Sequence, residues 1–121
     1  MMNLICVCIG SAIGGGLRYL VARWVSGYSH LPYGTFIVNV VGCLLIGLIG
    51  TMISADGSHS QTRLLLTTGF CGGFTTFSTF VSEGTTLASG GDTIIAAGYI
   101  AASLFFGIIA YVGGCALGRM I

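Results

Sequence analysis

Charge is scarce in this chain. Charged residues make up 6 % of its 121 positions, against about 25 % in a soluble globular domain. That is too little to cover a soluble surface, so the chain reads as an integral membrane protein. The net charge of +1 supplies no basic face to neutralise phosphates, which excludes nucleic acid as a partner. The glycine-rich stretches lack the lysine of a P-loop, so no nucleotide site is expected. His30 and His59 have no nucleophile constellation near them in sequence. Both read as solvated loop residues, and no enzyme activity is expected. Cys6, Cys8, Cys43, Cys71 and Cys115 show no zinc-site spacing with histidine. In apolar surroundings they read as small hydrophobes. The N-terminus lacks the positive n-region of a secretory signal. The first apolar stretch is therefore expected to be retained as a span.

What is present is apolar: 55 % hydrophobic residues and a mean hydropathy of +1.00. A membrane helix needs about 20 mostly apolar residues. Four segments qualify, from about Leu4 to Trp24, Tyr33 to Ile53, Leu64 to Leu87 and Thr93 to Met120. The connections, Val25 to Pro32, Ser54 to Arg63 and Ala88 to Asp92, are short. Sequential helices should therefore be antiparallel neighbours within a single domain over residues 1–121. Glycine is abundant, with 21 in all. Small faces such as the Gly10 and Gly14 pair let helix backbones approach closely in lipid.

Arginine placement bears on topology. Arg63 and Arg119 fall on one side of a four-span layout, Arg18 and Arg23 on the other. The positive-inside rule has almost nothing to act on. Insertion in both directions, and an antiparallel pairing of two copies, are compatible with that balance.

The stretch Gly69-Phe-Cys-Gly-Gly-Phe-Thr-Thr-Phe-Ser-Thr-Phe-Val-Ser-Glu83 stands out. It mixes glycines, hydroxyls, phenylalanines and a carboxylate inside an apolar span. Backbone freed from helical hydrogen bonding is tolerated at membrane depth only when buried in protein or lining a cavity. The third helix is therefore expected to be broken here, with the break as the working site.

Several polar residues inside spans have two readings each. Arg18 either snorkels to the interface or lends positive potential to an anion vestibule. Asn39 needs partners, because an unpaired buried amide costs roughly 2–7 kcal/mol. It makes an interhelical hydrogen bond or donates to a permeating anion. Glu83 is the only acid well inside a span, and intramembrane acids mark proton relays or ion sites by default. A structural role as a hydrogen-bond acceptor for hydroxyls is the other reading. Phe77 and Phe80 share a helix face. Such rings usually meet lipid or core, but hydroxyls Thr75, Thr76, Ser78 and Thr79 surround them. Positive ring edges can line a path for a small anion. Tyr99, Ser103, Gly107 and Tyr111 recur every four residues on one face of the fourth span. They are interface anchors and self-bonded hydroxyls, or a polar strip beside a pore.

The run Gly69 to Glu83 resembles the Fluc (CrcB-type) fluoride channel family. Supporting matches are Gly-Gly-Leu-Arg-Tyr in the first span, Gly-Thr-Phe-Ile-Val-Asn in the second and Tyr-Ile-Ala-Ala-Ser in the fourth. The resemblance implies an all-α, dual-topology, antiparallel homodimer with two fluoride pores in a bacterial cytoplasmic (inner) membrane. It also implies a structural sodium ion (Na+) at the dimer centre, held by main-chain carbonyls of Gly72 and Thr75. Phe77 and Phe80 match the family's pore-lining rings and Asn39 its pore-facing amide. Arg18 matches its vestibule arginine, Ser103 its fourth-span polar track and Glu83 a central glutamate. Gly107 and Tyr111 depart from the track's run of small hydroxyl residues.

Passive fluoride export is thus expected through a site that includes Asn39, Phe77, Phe80, Ser103 and Arg18 by the resemblance, and Thr76, Thr79 and Tyr99 by the placement of their hydroxyls. Two rivals stand beside it. One is a small proton-coupled, multidrug-type exporter using Glu83, although the first span has no acid. The other is a non-transporting membrane assembly subunit.

Overall fold

The computed structural model describes residues 1–26, 31–57 and 60–121. His30 and His59 lie outside the described residues. Everything regular among the described residues is helical. Helix α1 spans Met2–Ser26 and α2 spans Tyr33–Asp56. A short α3, Ser60–Arg63, runs into a π-helical segment, Leu64–Cys71, and then α4, Gly72–Phe74. Helix α5 spans Phe77–Ser89 and α6 spans Thr93–Met120. Four stretches are long and apolar enough to cross a membrane: Met2–Val25, Tyr33–Ala55, Ser60–Ser89 and Thr93–Met120. They coincide with the four expected spans.

The boundaries differ by a few residues for local reasons. Helix α2 continues past Ile53 and stops where Gly57 adopts φ +65°. Glycine tolerates that left-handed cap without a Cβ penalty. The third stretch starts at Ser60 rather than Leu64, so the second connection is shorter than the sequence suggests. The last turn closes through Gly91 at φ +93°.

Glycine brings the helices together in two pairs. A Cβ at Gly47 would strike the Tyr111 carbonyl, and one at Gly114 would strike the Leu44 carbonyl. Helices α2 and α6 therefore touch backbone to backbone. Helix α1 meets the π segment the same way, with Gly10 against the Leu65 carbonyl and Gly14 against that of Phe70. Packing of this kind replaces the hydrophobic drive that lipid cannot provide. Among the described residues the largest fully buried side chains are Val38 and Cys71. Large apolar side chains such as Ile94 and Trp24 face outward.

Candidate functional site

Helical conformation in the third stretch stops after Phe74 and resumes at Phe77. Between them Thr75 (φ −90°, ψ 160°) and Thr76 (φ −150°, ψ 115°) are extended. β-Branched threonine suits that conformation. The interruption sits about halfway along Ser60–Ser89. It frees main-chain groups that lipid cannot satisfy, so they must pair within the protein or line a cavity.

Three side chains supply partners. Asn39 reaches across from α2 with both ends of its amide. Its Nδ2 donates to the Thr76 carbonyl at 3.1 Å, and its Oδ1 accepts the Thr76 N–H at 2.8 Å. Arg18 reaches from α1, and its Nε donates to the Gly73 carbonyl at 3.0 Å. Its side chain is thus turned inward onto the third stretch. Thr76 caps α5 itself: its hydroxyl oxygen accepts the Thr79 N–H at 3.3 Å and its O–H donates to Thr79 Oγ1 at 3.0 Å. An N-cap of this kind is worth about 0.5–2 kcal/mol.

Among the carbonyls that lose the donors a continuous helix would give them are those of Gly72 and Thr75. Gly72 would receive the Thr76 N–H, which goes to Asn39 instead. Thr75 would receive the Thr79 N–H, which goes to Thr76 Oγ1 instead. The Cys71 carbonyl keeps its helical partner, the Thr75 N–H at 3.0 Å, and accepts the Thr75 hydroxyl at 2.9 Å as well.

Beside the interruption lies an open cavity of about 350 Å³. Asn39, Gly72, Thr75, Thr76, Phe77, Phe80 and Ser103 line it, with Cys43, Cys71 and aliphatic groups completing the wall. The structure therefore gathers most of the sequence-predicted residues around one space. Asn39 has spent one amide hydrogen on Thr76 and has a second for the cavity. Ser103 Oγ is buried and has no hydrogen-bond partner among the described residues. The start of α5 also borders the cavity, and the N-terminal end of a helix carries partial positive charge.

The remaining predicted residues sit around this space. Phe80 packs against Phe77, with ring centroids 6.0 Å apart, and against Tyr99 at 5.3 Å. Glu83 lies two turns beyond the break, where Thr35 donates to its Oε1 at 2.6 Å. Glu83 Oε2 and the Tyr99 hydroxyl are buried without a hydrogen bond of proper geometry. The Tyr99 hydroxyl nevertheless lies close to both Thr35 and Glu83. Arg18 and Thr79 do not line the cavity; each acts through the main chain or cap of the interruption.

Sequence reasoning missed Thr35 and Gly42. Thr35 is 6 % exposed and one helical turn before Asn39, so the i, i+4 spacing was the available signal. A Cβ at Gly42 would collide with Thr75 Cγ2. The smallness of Gly42 therefore lets the extended threonine sit against α2.

Comparison with known proteins agrees over almost the whole chain. The family model described as CrcB-like protein, Camphor Resistance (CrcB), matches residues 5–115. A protein of Chloroflexus aurantiacus named fluoride-specific ion channel FluC is 46 % identical, covering 98 % of this chain and 97 % of that one. A protein of the same name from Rhizobium johnstonii is 42 % identical over 100 % of this chain and 99 % of its own. Another of that name, from Oceanobacillus iheyensis, is 42 % identical over 93 % and 89 %.

Proposed function

The chain belongs to the CrcB-like fluoride channel family, a family of multi-pass membrane proteins rather than enzymes, and we propose that it exports fluoride passively across a bacterial cytoplasmic membrane. The observation that carries this reading is the interrupted third stretch. A helix broken at mid-membrane, stitched to Asn39 and flanked by Phe77 and Phe80, is the working site.

The physical problem is dehydration. A bare small anion in low dielectric costs tens of kcal/mol. The pore must replace water with donors. The second amide hydrogen of Asn39 and the unpartnered hydroxyl of Ser103 are two such donors. The start of α5 adds partial positive charge, as half-helix ends do in transporters. The positive edges of the Phe77 and Phe80 rings add weak attraction without a trap.

The chain works as an antiparallel homodimer in this reading. Phe77 supports it, since the ring is 77 % exposed in one copy while bordering the cavity. A second copy would cover it. The even split of the arginines supports insertion both ways. A sodium ion at the dimer centre fits the donor set. Gly72 and Thr75 present carbonyl oxygens without helical donors, and hard oxygens suit that cation. These carbonyls from both copies would hold it. When bound, it would raise the positive potential beside the anion path.

The test is efflux from liposomes holding the purified protein, with fluoride and chloride read in parallel at matched pH. Fluoride should leave without a proton gradient while chloride stays. No fluoride flux, or flux only with a proton gradient, overturns the proposal; the latter result would favour the Glu83-coupled exporter.

A further inference from the structure

We propose that Cys43 is a pore-lining donor, its thiol supplying from α2 the polar group that α6 lacks at Gly107. The proposal rests on the channel reading above. Helices α2 and α6 run in the same direction and in register. Cys43 meets Gly107, and one turn further on Gly47 meets the Tyr111 carbonyl. One turn earlier the same register sets Asn39 level with Ser103, and both line the cavity beside the interruption. One turn before that, the Tyr99 hydroxyl lies close to Thr35. Residues four apart share a helix face, so two facing rows form. Thr35, Asn39, Cys43 and Gly47 stand on α2, opposite Tyr99, Ser103, Gly107 and Tyr111 on α6.

The first two levels carry a polar side chain from each row. At the third, Gly107 is buried and has no side chain. Among the described residues, the atom nearest the place its Cβ would take is Cys43 Sγ, at 3.5 Å. The sulfur thus stands where an α6 side chain would begin. Cys43 lines the cavity together with Asn39 and Ser103, so its S–H borders the same space. The buried Ser103 hydroxyl, without a hydrogen-bond partner among the described residues, leaves a bond in that space for a ligand to complete. An anion moving on from the Asn39 and Ser103 level meets the thiol about 6 Å along, one helical turn at 1.5 Å per residue. A thiol is a weak donor. It eases the anion's passage without holding it, as conduction requires of each site. A packing role would need only the volume of the sulfur, whereas a donor role needs the S–H.

Cys43→Ala in the full-length protein in liposomes should slow fluoride efflux about 2- to 10-fold, the size of one neutral hydrogen bond lost. A Cβ at position 107 would sit in ordinary contact with the sulfur, so the position accepts a small side chain. Adding Gly107→Ser to Cys43→Ala returns a hydroxyl from the opposite row and should restore most of the flux. Adding Gly107→Ala returns volume without a donor and should restore none. A second measurement needs no substitution. Methyl methanethiosulfonate, small and uncharged, is applied to the unmodified protein, and peptide mass spectrometry reads the adduct. The Cys43 thiolate attacks the S–S bond of the reagent; a methyl disulfide forms, methanesulfinate leaves and the thiol proton passes to water. Fluoride as the only anion should slow labelling at Cys43 relative to chloride, while labelling of Cys8, exposed on α1, should not change. Efflux from Cys43→Ala at the unmodified rate, equal rescue or none from the two substitutions at 107, or labelling of Cys43 that is absent or the same in both anions overturns the proposal. Absence of fluoride flux from the unmodified protein overturns the channel reading instead, so the two failures are distinguishable.

Discussion

Asn39→Ala removes two interactions in one step. The Thr76 N–H and carbonyl both lose their amide partner, at 2.8 and 3.1 Å. Interhelical hydrogen bonds in membranes average about 0.6 kcal/mol and reach about 1.7. Two of them amount to about 1–3 kcal/mol of stability. The effect on conduction is separate and larger. A hydrogen bond to a charged group is worth about 1.5–3 kcal/mol. Removing one donor from a dehydrated anion should therefore slow fluoride efflux about 10- to 150-fold. Asn39→Asp tells the two roles apart. The carboxylate can still accept the Thr76 N–H, but cannot donate to the Thr76 carbonyl and repels an anion. It should recover part of the lost thermal stability and none of the lost flux. The assay is an electrode reading of fluoride efflux from liposomes, with thermal unfolding of the same preparations in detergent. Efflux from Asn39→Ala at the unmodified rate would refute the claim that this amide faces the ion. Unchanged stability would refute the claim that it stitches the interruption.

Three further outcomes follow from the same geometry. Phe80→Ile removes the ring that contacts both Phe77 and Tyr99; fluoride efflux should be lost while the size-exclusion profile is kept. Thr35→Val keeps the shape of a buried side chain but removes the 2.6 Å bond to Glu83; the thermal midpoint should fall by the equivalent of about 1.5–3 kcal/mol. Gly114→Ala places a methyl group against the Leu44 carbonyl; overpacking should cost about 1–3 kcal/mol. Gly113→Ala, whose Cβ meets nothing within 4 Å, is the matched control and should fold normally.

The four spans were legible because hydropathy and length fix them almost alone, and the fourth, Thr93–Met120, was placed to the residue. The anomaly at Gly69–Glu83 was legible because hydroxyls and glycines there serve no lipid-facing purpose. The sequence did not reveal which side chain answers which freed backbone group. Arg18 and Gly73 are 55 positions apart, Thr35 and Glu83 48. No local periodicity links such pairs; the antiparallel register of the helices does. The π-helical winding of Leu64–Cys71 was equally hidden, since a shift from i−4 to i−5 bonding leaves the apolar pattern of Leu-Leu-Leu-Thr-Thr unmarked.

The same pairings show why the interruption is held in place rather than frayed. An extended dipeptide in a membrane span loses its helical bonds and gains nothing from lipid. Here the Thr76 main chain is bonded on both sides by one amide from α2, and the Gly73 carbonyl is met by a guanidinium from α1. The two neighbours come from different helices, so neither alone positions the break. Their close approach depends on glycine. Gly42 admits Thr75 against α2, and a Cβ on Gly73 would meet the Ser11 carbonyl at 2.6 Å. Side chains at these positions would push the neighbouring helices away and strand the polar groups that now pair. The glycines and the long-range hydrogen bonds are therefore one arrangement. Without close approach the freed backbone has no partners, and without partners an interrupted helix does not persist in lipid.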